Sequence, residues 1–246
     1  MAGPNGNFAM LCSCGSKSSH AFCGKSSRRG FMSTGLAGVA AVTAGSTVLP
    51  RWAFAQTTLS PDAALQKLID GNKRFVQSQL ASCREDLTIL KQNTVSKQEP
   101  FAGILSCADS RVPVELVFDQ SIGQLFVNRV AGNIATSEII ASLEYGVAVL
   151  GTSVILVLGH SSCGAVTAAL AGHEEPGQIS GLFALIRPAV EASGGNLVAA
   201  IKDNAKIQAN LIATASPLLA GYIKQGKLKV AAGYYALETG QVTLLS

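Results

Sequence analysis

The sequence predicts an α/β fold, a mainly parallel β-sheet flanked by helices and finished by a C-terminal β-hairpin edge. Short apolar runs stop abruptly at 101–107, 124–130 (QLFVNRV) and 153–160 (SVILVLGH). Helical patterns lie between them, such as SEIIASLEYGVAVL at 137–150. Strands alternating with helices at this spacing need crossover connections, and therefore a parallel sheet. The terminal stretch KLKVAAGYYALETGQVTLL instead places two β-type runs on either side of Glu238-Thr239-Gly240, close enough to fold back as a hairpin. The chain has 246 residues, 48% of them hydrophobic and 14% charged, enough for a sizeable core in one or two domains.

Each element has a local reason. LSPDAALQKLIDGNKRFVQSQL opens with Ser60 as N-cap, Pro61 at the first helical position and Asp62 in the first turn. Leu65, Leu68, Ile69 and Phe75 then recur at helical spacing, so this helix lies on the surface with one buried face. The C-terminal part reads as two helical stretches, QISGLFALIRPAVEASGG and NLVAAIKDNAKIQANLIATASPLLAGYIKQG, before the hairpin. A hairpin edge this apolar suggests a partner surface. No internal repeat is visible.

Charge is divided unevenly along the chain. Residues 1–55 hold Lys17, Lys25, Arg28, Arg29 and Arg51 and no acidic residue, leaving 14 basic against 15 acidic side chains in the remainder. The body is near-neutral, which argues against a nucleic-acid partner. The segment 1–55 itself reads as an address. Arg28-Arg29 and Phe31 precede an uncharged Gly/Ala/Val stretch to Pro50, followed by small residues at Ala53 and Ala55. This resembles a twin-arginine export signal cleaved after Ala55, leaving 56–246 as the functional domain. The expected partner during export is the twin-arginine translocase. The expected destination is the periplasm, or a thylakoid lumen in a photosynthetic source. An uncleaved membrane anchor is the alternative, but a stretch rich in Gly, Ala and Thr inserts poorly.

Cys12, Cys14, His20 and Cys23 have tolerable metal-site spacing, yet no apolar periodicity surrounds them, and they read as leader. In the body Cys83, Cys107 and Cys163 remain, too few and odd in number for a disulfide scaffold. Cys83 has no partner pattern. Cys107 ends one buried run, and His160 ends another and is followed by Cys163 in GHSSCGA. A parallel sheet brings such strand ends together outside its carboxyl edge. Two thiolates and one imidazole then meet at one point with a fourth place open, the arrangement expected of catalytic zinc. His173, in a Gly/Glu/Pro loop, reads as an exposed residue.

CADSR (107–111), followed about fifty residues on by HSSCG (160–164), resembles the β-class carbonic anhydrases, with their Cys-x-Asp-x-Arg and His-x-x-Cys patterns. The likeness runs from DGNKRF through SRVPVELVFDQ, LFVNRVAGN and EYGVAVLG to GYYALETGQVTLL. It implies one Zn²⁺ per subunit on Cys107, His160 and Cys163, and a catalytic dyad of Asp109 and Arg111. It also implies a substrate-binding glutamine at Gln98 and an apolar wall at Phe126. The implied activity is reversible hydration of CO₂ to bicarbonate and a proton by attack of zinc-bound hydroxide. A homodimer or higher even oligomer, with a pocket built from two chains, is implied as well.

Elementary chemistry gives the dyad a rationale. Asp109 is close enough in sequence to Cys107 to take the fourth zinc position itself in a closed state. An always-charged Arg111 can grip its carboxylate with two parallel hydrogen bonds and hold it off the metal. Two other functions use the same residues: hydrolysis of CS₂ or COS, and non-catalytic binding of inorganic carbon. Intact Asp109, Arg111 and Gln98 argue against the second, because a binder has no need of the dyad.

Overall fold

The computed structural model describes residues 57–82, 87–172 and 174–246. The leader 1–55, with Cys12, Cys14, His20 and Cys23, and also Cys83 and His173, lie outside the described residues. Four parallel strands, β1 (Ala102–Ser106), β2 (Leu125–Arg129), β3 (Val154–His160) and β4 (Lys229–Tyr235), are joined by an antiparallel β5 (Val242–Leu245) in the order β2-β1-β3-β4-β5. The expected parallel sheet with a C-terminal hairpin edge is therefore present. β1 and β3, in the centre, are buried along their whole length. That is why they read as continuous apolar runs rather than alternating ones.

Alternate side chains of β3 divide the core in two. Val154, Leu156 and Leu158 pack with α1 (Pro61–Val76) and α3 (Val114–Val117) on one face of the sheet. Ile155 and Val157 pack on the other face with α4 (Ser137–Ala148), α7 (Leu197–Ala215) and α8 (Pro217–Lys224). A third cluster, from α5 (Gly164–Ala171), α6 (Ile179–Ala192) and α7, surrounds Cys107 and Cys163. A short helix, α2 (Leu87–Thr94), lies on the surface with no buried residue. Among the described residues no helix is long and apolar enough to cross a membrane.

α1 begins as its caps dictate: Ser60 Oγ accepts from the Ala63 amide, and Pro61 stands at the first position. Its buried face ends in a close approach. A Cβ on Gly71 would sit 1.8 Å from the Phe118 carbonyl oxygen, so only glycine lets the helix reach the segment after α3. The neighbouring Asn72, buried, donates to the carbonyls of Val117 and Gly240 and accepts from the Val242 amide. The long C-terminal helical stretch of the sequence divides into α7 and α8 at Ser216-Pro217. Ser216 caps α8 by accepting from the Leu219 amide, and its hydroxyl donates to Glu144 of α4 at 2.5 Å.

Asp119 holds the far end of this arrangement. Its carboxylate accepts from Arg74 Nε at 2.5 Å, from the amides of Ala81 and Ser82, and from Ser82 Oγ at 2.6 Å. Burial pushes its pKa up, but the bonds from Ser82, Arg74 and Ala81 outweigh it and bring the group to about 2. A carboxylate depressed in the folded state contributes stability above its unfolded pKa, and that contribution is lost as pH falls through the folded value. Asp119 also has φ 47°, a conformation asparagine tolerates, so Asp119→Asn removes the charge with little backbone strain. We expect the variant to unfold at lower urea concentration than the parent at pH 7, and the gap between them to narrow between pH 4 and pH 2.

Candidate metal centre

β1 and β3 pair with Ser106 opposite Leu158. Cys107 therefore leaves β1 beside the end of β3, where His160 is the last residue. A tight turn with Ser162 at φ 54° brings Cys163 back to cap α5. The three side chains that the sequence singled out are brought together: one ligand atom from each of Cys107, His160 and Cys163 lies within 4.8 Å of the others, and all three residues are buried. The two sulfurs are 4.0 Å apart.

The donor set fits a tetrahedral metal. Zinc–sulfur bonds of about 2.3 Å at a tetrahedral angle place two sulfurs about 3.8 Å apart, close to the observed separation. His160 Nδ1 lies 2.9 Å from the Ser161 carbonyl oxygen, which can only accept, so Nδ1 carries the hydrogen and Nε2 presents its lone pair. Nε2 is buried and has no hydrogen-bond partner, which suits a metal-ligand atom. Cys107 accepts from the Gly132 amide at 3.3 Å. Hydrogen bonding from Cys163 lowers the Cys107 thiol to about 4 against the effect of burial, with further lowering from His160 and Gly132. Cys163 is driven well above the ordinary thiol range, first by sharing its proton with Cys107 and then by burial. The pair releases one proton readily and holds the second. A divalent cation supplies the charge needed to keep both as thiolates.

Asp109 and Arg111 flank the cluster. Asp109 Oδ1 accepts from the Arg111 amide and Nε, both at 2.9 Å, and Oδ2 accepts from Nη2 at 2.7 Å. The guanidinium holds the Asp109 carboxyl well below the usual carboxylate range, and Asp109 in turn raises Arg111. Arg111 Nη2 also donates to the Ser162 carbonyl at 3.2 Å, joining the CADSR and HSSC segments. Asp109 Oδ2 stands 3.8 Å from His160 Nε2, at the edge of the cluster but outside it.

Gln98 and Phe126 are elsewhere in the same chain. Gln98 is exposed and precedes β1, so it lies beyond the opposite end of that strand from Cys107. Phe126 pairs with Gly103 on the edge strand β2, its ring 6.1 Å from that of Tyr145 on α4. Neither meets the thiols within one chain.

Residues that sequence reasoning missed support the cluster through the main chain. Gly132, with φ 75°, has no room for a side chain, since a Cβ would meet Ile186 Cδ1 at 2.7 Å. Asn204 on α7, fully buried, donates to the Gly132 carbonyl at 2.8 Å, and Gln208 one turn on accepts from the Ala135 amide and donates to Asn204. Two buried amides four residues apart on one helix were the available signal. From β2, Arg129 bonds the carbonyls of Cys107 and Asp109.

Fold and site together define an α/β protein with a buried Cys₂His cluster able to hold a metal, beside an aspartate held by arginine, at the carboxyl end of a parallel sheet. The chain belongs to the carbonic anhydrase family, which residues 102–242 match, and its fold is that of the β class. It is 45% identical over 112 residues to carbonic anhydrase 2 of Mycobacterium tuberculosis, covering 46% of this chain and 54% of that protein. The match thus spans about half the length of that relative. To the carbonic anhydrase of Pseudomonas aeruginosa it is 32% identical over 196 residues, 74% of this chain and 87% of the other. The β-carbonic anhydrase CcaA superimposes with a TM-score of 0.58 at 26% identity, over 74% of this chain and 87% of that one.

Outer supports of a metal ligand commonly contribute tenfold or more to metal affinity. Asn204→Ala, which frees the Gly132 carbonyl, is expected to weaken zinc binding by about tenfold, measured by competition with a chromophoric chelator.

Proposed function

We propose that this chain is a zinc-dependent carbonic anhydrase that interconverts CO₂ and bicarbonate. The observation that carries this reading is the unpartnered His160 Nε2 converging with two sulfurs while the adjacent Asp109 is gripped on both oxygens by Arg111. Zinc held by Cys107, His160 and Cys163 would supply a Lewis acid that lowers the pKa of water towards neutrality.

The chain's own groups do the rest. Asp109, kept ionised by Arg111, offers only acceptor oxygens, so at neutral pH it orients a water by accepting a hydrogen bond from it. Arg111 holds Asp109 through Nε and Nη2, and Nη2 also donates to the Ser162 carbonyl, which leaves the carboxylate little freedom to swing into the donor cluster. The apolar residues Ile134, Val166, Ile186 and Ile201 surround the thiols and limit solvent there, which strengthens each of these interactions. In this reading Gln98 and Phe126 serve a pocket completed by a second copy of the chain, and residues 1–55 direct export to the periplasm or a thylakoid lumen by the twin-arginine route.

Stopped-flow hydration of CO₂ followed with a pH dye tests the proposal. Zinc-loaded protein should accelerate hydration well above buffer and lose the acceleration on chelation. Absence of CO₂ hydration together with rapid hydrolysis of COS or CS₂ would overturn it. Arg111→Ala should retain zinc at one per chain but lose hydration by about a hundredfold or more, as removal of one preorganised group at a reacting centre commonly does. Zinc content and rate are measured on the same preparation, and full activity would sink the dyad.

A further inference from the structure

The loop after β1 carries a metal-ligand candidate, Cys107, and the dyad acid, Asp109, on one short length of main chain. Its attachment to the sheet runs through β2. The Ala108 amide bonds the Val130 carbonyl at 3.3 Å, and the Val130 amide bonds the Ser106 carbonyl at 3.2 Å. The Arg129 side chain then reaches across: Nε donates to the Cys107 carbonyl at 3.0 Å and Nη2 to the Asp109 carbonyl at 2.5 Å. Among the described residues Arg129 forms no salt bridge, and it is exposed. A full positive charge is thus committed to two neutral carbonyls that flank Ala108, at the separation a guanidinium fork spans and an ammonium does not.

We propose that Arg129 is a positioning residue: by bridging the Cys107 and Asp109 carbonyls it sets the direction in which the Asp109 side chain leaves the main chain, and so keeps the fourth metal position open. The inference rests on the carbonic anhydrase reading above. Arg111 grips the Asp109 carboxylate and also donates to the Ser162 carbonyl after β3, so it restrains the side chain, not the main chain from which that side chain leaves. Arg129 provides the attachment to a different strand. With Asp109 Oδ2 already 3.8 Å from His160 Nε2, a small rotation of the loop brings the carboxylate onto the metal point.

The test uses cobalt(II) in place of zinc in the full protein, with azide as the probe of the fourth position. Arg129→Ala should still bind one cobalt per chain and keep its far-ultraviolet circular dichroism. Its azide affinity, read from the visible cobalt bands, should fall by about tenfold or more. The double variant Arg129→Ala, Asp109→Asn should recover that affinity, because the competing carboxylate is gone. CO₂ hydration by Arg129→Ala should fall about ten- to a hundredfold, the cost of a misplacement of about 1 Å, and Arg129→Lys should not restore it.

Azide affinity within twofold of the parent overturns the proposal, and so does a loss that Asp109→Asn fails to reverse, which would mark a purely structural arginine. The azide comparison needs no turnover. If the parent protein binds cobalt and azide but does not hydrate CO₂, the functional reading falls while the assignment of Arg129 is still decided.

Discussion

Everything in this fold depends on the register between β1 and β3. Cys107 and His160 are far apart in the chain, and Ser106 opposite Leu158 is what makes them leave their strands side by side. A slip of one residue would turn each side chain to the other face of the sheet and scatter the donors. Both strands are buried throughout, with helices over each face, so a slip would also expose a row of isoleucines, leucines and valines to the wrong neighbours. The apolar core is therefore a device for holding two polar strand ends at one depth.

Much of this was legible in the sequence because its signals are local. The caps of α1, the abrupt ends of β1 and β3, and the turn at Glu238-Thr239-Gly240 each follow from a few adjacent residues. Cys107, His160 and Cys163, each a weak signal alone, stood out together because a parallel sheet sets the ends of two apolar runs side by side. The division between α7 and α8 was written in Ser216-Pro217, a good cap and first position, but apolar spacing continuing across it made one helix of two. α2 buries nothing and so carries no amphipathic pattern to read. The roles of Arg129, Gly132 and Asn204 run through backbone carbonyls and amides, which have no letter in a sequence. Gln98 and Phe126 were named by resemblance alone, and the sheet shows them away from the thiols of their own chain.

The electrostatics are correspondingly short-range. With 14 basic and 15 acidic residues after residue 55, the body is near-neutral and offers little net charge with which to draw in a charged ligand. Its strong interactions are short-range pairs, Arg111 with Asp109 and Arg74 with Asp119. An uncharged triatomic substrate gains nothing from long-range steering, so a near-neutral body suits the proposed reaction.

The two ends of the described chain are fastened to one another. Asn72 of α1 holds Gly240 and Val242, while Ser161, whose carbonyl orients His160, has its hydroxyl bonded by the Leu237 amide and Glu238. Residues 237–242 thus brace both the first described helix and, through Ser161, His160. A chain still being synthesised has its cysteines and histidine but not the frame that aims them. The aim of His160 therefore waits on residues 237–242, which follow it by about eighty positions in the chain.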